Sequence, residues 1–318
     1  MSVWLLTDAA MDAHAVAGHP ERPERRDAAA DGVREAAGDR LEEPPVEAID
    51  RETLEAIHDP AYLALLDEAG AHGGGWLDPD TYVVPGSLHA AELAAGATVQ
   101  AALAVGTGAA VVAFAAVRPP GHHAARGRGS GFCLLNNVAV AVAGLRARGL
   151  ADRIAIVDWD VHHGDGTQAI FDADPRLCYA STHQSPHYPG TGARSETGIG
   201  VAAGTKHNRP LPPGSGDDAF IAAWRDELLP AVEAFEPEAI LVSAGYDAHV
   251  TDPLASLDVT GRGFEAVAEM LGALSARLRL AGVALTLEGG YDLGALRESA
   301  AASVRGILTG REAGSEGG

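Results

Sequence analysis

Acidic and imidazole side chains crowd one short segment of the chain, Asp158-Trp159-Asp160-Val161-His162-His163-Gly164-Asp165. Side chains two residues apart in an extended backbone share a face, so Asp158, Asp160 and His162 are predicted to point the same way. Two carboxylates beside an imidazole repel each other unless a cation neutralises them. Oxygen and nitrogen ligands without thiolates suit a catalytic divalent metal with one open position, and Asp247 can supply the third ligand. The alternative interpretation is a solvated acidic turn.

Two adjacent histidines and a tyrosine that follows two glycines are further candidates for chemistry: His122, His123 and Tyr291. Two imidazoles facing an activated water offer a general base and a general acid, provided that carboxylates orient each ring. Asp158 and Asp165 are available for that task. A phenol on a flexible glycine turn can donate to a developing oxyanion. Each residue taken alone is more often structural, so these roles depend on the whole set.

Five apolar stretches, each leading directly into a polar motif, predict the strands that position these residues: 110–117, 154–157, 177–181, 239–243 and 283–287. A further short strand is expected at 3–6. The remaining periodic stretches predict helices at 27–37, 61–69, 88–105, 137–148, 166–171, 217–235, 263–280 and 293–308. Strands that alternate with helices predict an α/β fold with a mainly parallel central sheet flanked by helices. Ligands of such sheets bind beyond the carboxyl ends of the strands.

The sequence contains no internal repeat and no linker long enough to separate two units. We therefore expect one catalytic domain over residues 1–318, with residues 312–318 as a flexible tail. The two cysteines, Cys133 and Cys178, are too few for a disulfide framework or a thiolate zinc site, which favours a reducing, cytoplasmic compartment. The first residues lack the basic and apolar regions of a signal peptide.

The charge balance disfavours two classes of binding partner. The chain has 23 Lys+Arg against 44 Asp+Glu, and the net charge of −21 disfavours general binding to nucleic acid or to anionic membranes. Residues 93–117 carry no charge, but their glycines and threonines fit a buried helix and a buried strand better than a membrane span. Lys206 is the only lysine, which we interpret as a compositional habit.

Six ordered motifs resemble one known family. They are Arg118-Pro-Pro-Gly-His-His123, Gly131-Phe-Cys-Leu-Leu-Asn-Asn137, Asp158-x-Asp-x-His-His-Gly-Asp-Gly166, Pro189-Gly-Thr-Gly192, Ser243-Ala-Gly-Tyr-Asp247 and Glu288-Gly-Gly-Tyr291. Together they resemble the zinc-dependent histone deacetylase family, and most closely its bacterial members, which include acetylpolyamine amidohydrolases and acetoin-utilisation-type proteins. The resemblance spans almost the whole chain and implies the arginase-like α/β fold.

The resemblance also implies a role for individual positions. Zinc would be held by Asp160, His162 and Asp247. His122 would pair with Asp158, and His123 with Asp165. The structural potassium ion of the family would be bound by Asp158, by Ser181 and by the main chain of Asp160, His162 and Thr182. The acyl tunnel and its rim would be formed by Gly131, Phe132, Tyr188, Asp80 and Leu254, and Arg25 would lie along an inner channel.

The reaction implied is hydrolysis of an acylated amine, in which zinc lowers the pKa of a bound water to about 7 and polarises the acyl carbonyl. His123 would be the main general base, His122 would act chiefly through its charge, and Tyr291 would stabilise the oxyanion. Polyamine-selective members carry an acidic residue where this chain has Leu254, which favours acyl-lysine over acetylpolyamines. Two alternatives are a dimanganese ureohydrolase, which needs further bridging carboxylates, and a catalytically silent acyl-lysine binder.

Overall fold

Parallel strands form the centre of the protein, in a computed structural model that describes residues 1–316. In chain order the strands are β1 (Val3–Leu6), β2 (Leu41–Glu42), β3 (Gly75–Trp76), β4 (Tyr82–Val83), β5 (Val112–Ala115), β6 (Ile154–Asp158), β7 (Leu177–Gln184), β8 (Lys206–Leu211), β9 (Ala239–Ala244) and β10 (Val283–Leu287). Within the described residues, eight of them form one parallel sheet in the order β2-β1-β5-β10-β9-β6-β7-β8. β3 and β4 form a separate antiparallel hairpin. The predicted parallel sheet is confirmed.

The register of the central strands brings their carboxyl ends level. Asp158, the last residue of β6, pairs with Ser181 on β7 and with Ser243 on β9. Leu287, at the end of β10, lies beside Ala244. Because these strands run in the same direction, the loops that follow them converge at one edge of the sheet. The polar motifs of the sequence lie in this region.

Helices flank the sheet: α1 (Glu24–Ala37), α2 (Arg51–Glu55), α3 (Pro60–Ala71), α4 (Ser87–Gly106), α5 (Asn137–Ala147), α6 (Asp165–Phe171), α7 (Asp217–Ala223), α8 (Leu229–Phe235), α9 (Gly261–Arg277) and α10 (Leu293–Glu316). α10 packs against α9 and α1, while α4 packs against α5 and the neighbouring strands β5 and β10. By length and composition α4 could cross a membrane, but 72% of its most apolar window is buried inside the fold. This agrees with the predicted buried helix.

Several element boundaries differ from the predicted ones. β7 continues to Gln184, three residues beyond the predicted end, so Thr182 lies within the strand and not after it. The predicted helix 217–235 is interrupted by a π-helical turn, Trp224–Leu228, beside a proline that cannot donate a helical hydrogen bond. The polar edge strand β8 has no counterpart in the prediction. α10 continues to Glu316, so the predicted tail is helical up to there, and residues 317–318 lie outside the described residues.

Candidate active site

The three predicted metal ligands meet at the carboxyl end of the sheet. Asp160 and His162 lie in the loop after β6, and Asp247 lies in the loop after β9. One ligand atom of each residue lies within 4.8 Å of the other two, and both carboxylates are buried. His162 Nδ1 is 3.1 Å from Asp160 Oδ1 and 3.2 Å from Asp247 Oδ2. Two carboxylates and one imidazole at this spacing can bind one metal ion.

The loop after β6 turns sharply, which corrects the predicted extended arrangement of its acidic residues. Asp160 N donates to Asp158 Oδ1 at 3.2 Å, and His162 N donates to Asp160 Oδ1 at 2.8 Å. Val161 N donates to Asp247 Oδ1 at 2.9 Å and ties this loop to the loop after β9. Asp158 therefore does not join the ligand cluster. The sequence pattern identified the residues of this loop but not its conformation.

The charges of the cluster fit a bound cation. Burial and the neighbouring Asp160 raise the pKa of Asp247 above its ordinary value. Burial alone would lower the pKa of His162, but the neighbouring carboxylates of Asp160 and Asp247 raise it to about 10. Asp247 Oδ2 is buried and accepts no well-aligned hydrogen bond, although His162 Nδ1 is 3.2 Å away. A Cβ atom at Gly289 would collide with both carboxylates, so the glycine keeps this space open.

Each of the two adjacent histidines has a carboxylate partner. His122 Nδ1 lies 3.1 Å from Asp158 Oδ2, and His123 Nδ1 lies 2.8 Å from Asp165 Oδ1. Both imidazoles are buried, and their ring centroids are 4.1 Å apart. Burial opposes a charge on His122, but Asp160 and Asp158 raise its pKa well above the ordinary value. Burial and the charge of His122 lower the pKa of His123 to about 3. The surroundings therefore favour the charged form of His122 and the neutral form of His123.

Tyr291 lies in the loop after β10 and is fixed by contacts with Arg25. The Arg25 guanidinium lies over the tyrosine ring, 4.7 Å from its centroid. Arg25 Nε donates to the main-chain oxygen of Gly290 at 2.5 Å, and its Nη2 donates to that of Glu288. Burial raises the pKa of Tyr291 well above its ordinary value, so the phenol keeps its proton and can donate it in a hydrogen bond.

A cavity of about 250 Å³ joins these groups to solvent. The predicted site residues in its wall are His122, His123, Asp160, His162, Tyr291, Asp80, Gly131, Phe132, Tyr188 and Leu254. The structure therefore brings the predicted catalytic and substrate-binding residues to one place. Pro120, His187 and Gly289 also line the cavity, and the sequence patterns did not single them out for this role.

Aromatic residues form two walls of the cavity. Phe132 has a positive φ of 69°, which side chains rarely adopt, and its N–H donates to Thr81 Oγ1 at 3.1 Å. The preceding Gly131 lies so close to the His123 ring that a Cβ atom there would collide with it. The Tyr188 ring meets the same imidazole edge to face at 5.1 Å and remains 42% exposed. The strained turn places the Phe132 side chain in the cavity wall. The sequence motif does not predict this backbone conformation.

The residues predicted to bind potassium lie side by side, and their side chains make hydrogen bonds within the protein. Asp158, Ser181 and Thr182 are buried on β6 and β7. Ser181 Oγ is 3.0 Å from His183 Nδ1, and Thr182 Oγ1 accepts from Trp224 Nε1 at 3.2 Å. Potassium binding at these residues remains a prediction.

Two buried carboxylates without a role in the sequence prediction hold the loops of the site. Glu288 accepts hydrogen bonds from Gly121 N at 2.6 Å, His122 N at 3.1 Å and the Ser243 hydroxyl at 3.1 Å. Burial raises its pKa to about 7. Asp252 binds the main chain of Tyr291. Glu288 belongs to the Glu-Gly-Gly-Tyr motif, so the sequence could have indicated that it is a functional residue. No sequence pattern predicts the contact between Asp252 and Tyr291.

Comparisons with known proteins show which family the sequence is similar to. The model of the histone deacetylase domain matches residues 19–307. The chain belongs to the histone deacetylase family. A probable deacetylase of Archaeoglobus fulgidus is 43% identical over 278 residues, which cover 86% of this chain and 77% of that protein. A human polyamine deacetylase is 37% identical over 302 residues, which cover 91% of this chain and 44% of that protein.

A solved structure of a relative has the same fold. The crystal structure of the HDA15 HD domain matches 96% of this chain and 88% of its own, with a TM-score of 0.91 and 37% sequence identity. The predicted family and the deacetylase fold are therefore confirmed, and the reaction class is that of a deacetylase hydrolase. This chain spans less than half of the human polyamine deacetylase.

Proposed function

We propose that this family member is a zinc-dependent deacylase that removes an acetyl or short acyl group from an acylated amine, with acyl-lysine in peptides or proteins as its preferred substrate. One observation carries the proposal. A single cavity is lined by Asp160 and His162 of the ligand cluster, by a histidine pair of unequal charge and by a protonated tyrosine. These are the groups that hydrolysis of an unactivated amide requires.

The ligand cluster defines where a metal ion would act. Asp160, His162 and Asp247 would hold one divalent ion, which supplies Lewis acidity toward the acyl carbonyl and makes water a better nucleophile near neutral pH. The buried carboxylates and the orphaned oxygen of Asp247 support this assignment. The potassium ion predicted near Asp158, Ser181 and Thr182 is part of the same proposal.

The protein groups provide the proton transfers. The Nδ1–H of His123 donates to Asp165, which leaves Nε2 free to accept the proton of the attacking water. The same imidazole then protonates the leaving amine, so a free amine and a carboxylate are produced. His122, charged beside it, favours negative charge on the carbonyl oxygen, and the Tyr291 hydroxyl donates a hydrogen bond to that oxygen.

The substrate class rests on the cavity and its rim. Phe132 and Tyr188 offer apolar walls to an acyl chain and an aliphatic stem, and Asp80 lies at the same cavity. Leu254 offers no charge to a distal ammonium. The second candidate is an acetylpolyamine amidohydrolase, favoured by the similar human polyamine deacetylase. A silent acyl-lysine binder is the remaining alternative, and the complete set of catalytic groups argues against it.

Metal dependence tests the proposal. Chelation should abolish hydrolysis of acetyl-lysine peptides, and added zinc should restore it, because one ion is expected at the ligand cluster. Asp247→Ala should lose both the bound metal and the activity, since it removes one of three protein ligands. The matched control is Asp292→Ala, which removes a carboxylate that caps α10 and should leave the metal content unchanged.

Elemental analysis of metal per chain and kcat/KM on the same samples are the measurements. Full activity in a sample verified to be free of metal would overturn the metal assignment. Metal binding without hydrolysis of any acylated amine would favour the silent binder. We also propose the cytoplasm as the location, in keeping with Cys133 and Cys178, which are both free and buried.

A further inference from the structure

One buried carboxylate joins two loops of the site. Asp252 is 7% exposed and accepts three main-chain hydrogen bonds. Its Oδ1 accepts from Leu254 N at 3.0 Å. Its Oδ2 accepts from Tyr291 N at 2.6 Å and from Asp292 N at 3.3 Å. Asp252 is not among the residues that line the cavity, so it acts on the site through other residues.

The two loops carry different parts of the site. The loop after β9 carries Asp247 and the rim residue Leu254, and the loop after β10 carries Tyr291. Asp252 holds the tyrosine N–H, while Arg25 holds the oxygen of the preceding residue, Gly290. The main chain at Tyr291 is thus fixed from both sides. Because the phenol oxygen is the far end of a rigid side chain, a small main-chain rotation displaces it considerably.

We propose that Asp252 is a positioning residue, which sets the Tyr291 hydroxyl for donation to the oxyanion and couples that placement to the rim residue Leu254. The inference rests on the proposed deacylase function. A misplacement of about 1 Å at a reacting group can cost a factor of 10² in rate, so the contact affects catalysis although Asp252 does not touch the substrate.

The contact consists of three main-chain N–H donors and the two oxygens of one carboxyl group. Both oxygens of Asp252 meet N–H donors, so an ionised side chain satisfies all three. An asparagine would turn its amide group toward either Leu254 N or the N–H groups of Tyr291 and Asp292. On the other side of the contact, the amide NH2 group would then face a main-chain N–H. Two donors cannot form a hydrogen bond with each other. Asp252→Asn therefore breaks the junction with almost no change in volume.

A double-mutant cycle measures whether Asp252 acts through the phenol. Tyr291→Phe alone should lower kcat by about 10² to 10³, the usual effect of losing one oxyanion donor. Asp252→Asn alone should lower kcat by about 10- to 100-fold. In the Tyr291→Phe background the same substitution should cost less than about threefold, because the hydroxyl that it misplaces is already absent. Metal content should stay at the wild-type value.

A second measurement does not depend on activity. Hydrogen–deuterium exchange of a peptide covering residues 288–292 should be faster in Asp252→Ala, because the Tyr291 amide then has no side-chain acceptor. The matched control is Asp217→Ala, which removes a carboxylate that is 8% exposed and accepts from Thr260 N at 2.8 Å at the start of α9. It should lower thermal stability without changing exchange at 288–292 or kcat.

The outcomes separate this inference from the proposed function. Equal losses in the wild-type and Tyr291→Phe backgrounds would overturn the inference while leaving the deacylase intact. Unchanged exchange at residues 288–292 would overturn it as well. If the wild type hydrolyses no acylated amine, the proposed function fails, and the exchange experiment alone then decides whether Asp252 fixes Tyr291.

Discussion

At the scale of single residues, the surroundings of two identical side chains shift their pKa values in opposite directions. His122 lies near Asp158 and Asp160, and their charges raise its pKa against the effect of burial. His123 has one carboxylate, Asp165, and a charged imidazole beside it, so burial and that charge lower its pKa to about 3. The sequence could pair each histidine with an aspartate. It could not say which imidazole is charged, because that depends on distances across the fold.

Leu254 offers a test of substrate selectivity at the same scale. A rim carboxylate would attract a distal ammonium by about 1 kcal/mol or more when partly desolvated, and a leucine cannot. We therefore expect the wild type to prefer acyl-lysine peptides over acetylspermidine or acetylputrescine. Leu254→Glu should shift the kcat/KM ratio toward polyamines, and the shift should be larger at low salt than at high salt.

The control for this substitution is Val250→Glu, which adds the same charge at an exposed residue of the same loop that does not line the cavity. It should leave the ratio close to that of the wild type. A wild type that strongly prefers acetylpolyamines, together with a ratio unchanged by Leu254→Glu, would mean that another residue controls selectivity.

At the scale of elements, apolar periodicity predicted the buried strands well and the polar edge poorly. β6 and β10 are buried along their whole length, and each was predicted to within about one residue. β8 has the sequence Lys-His-Asn-Arg-Pro-Leu and lies at the edge of the sheet, where strands need no apolar run. Its first residue is Lys206, which from the sequence alone is interpreted as a compositional habit. The side chain of Lys206 is nevertheless fully buried.

Lys206 is expected to stabilise the junction of β7 and β8. Its Nζ donates to Leu177 O at 2.9 Å, Asp174 O at 3.3 Å and Thr205 Oγ1 at 2.7 Å. Lys206→Met keeps most of the aliphatic stem but removes all three hydrogen bonds that the ammonium donates. We expect the free energy of unfolding to fall by about 3 kcal/mol, measured by urea denaturation.

Arg305→Met is the control for this prediction, because Arg305 makes an exposed ion pair with Glu265 at 2.9 Å. Its loss should change the unfolding free energy by less than about 1 kcal/mol. Equal stability losses in the two variants would show that the buried ammonium contributes no more than a surface charge.

At the scale of the whole molecule, the candidate site was predictable because a parallel sheet gathers every strand end at one edge. A polar motif after each apolar strand was therefore enough to place Asp160 and Asp247 near each other. The same reasoning could not find Asp252 or Glu288 contacts, since these depend on how loops distant in sequence pack together. Sequence periodicity carries no information on such loop packing.

Buried neutral histidines away from the ligand cluster of Asp160, His162 and Asp247 give the whole fold a pH-dependent stability. Burial lowers the pKa of His14 to about 4, that of His58 to about 4 and that of His183 to about 3. The unfolded chain binds protons at these residues at an ordinary pKa of about 6.5, before the folded protein does. The unfolded state therefore holds more protons between these values, and stability must fall as the pH falls from 6.5 toward 4.

His58 permits the clearest test of this behaviour. Its Nδ1 donates to Ala125 O at 3.1 Å and its Nε2 accepts from Asn136 N at 2.9 Å, so a second proton would break a contact that fixes the start of α5. A shift from 6.5 to about 4 should cost the wild type about 2 kcal/mol between pH 7 and pH 5. A glutamine can replace both hydrogen bonds without titrating. Between pH 7 and pH 5, the unfolding free energy of His58→Gln should therefore fall by about 2 kcal/mol less than that of the wild type. The control is His89→Gln, at an exposed histidine, and urea denaturation at each pH supplies the measurement. Parallel pH curves for the wild type and His58→Gln would show that His58 is not held neutral by the fold.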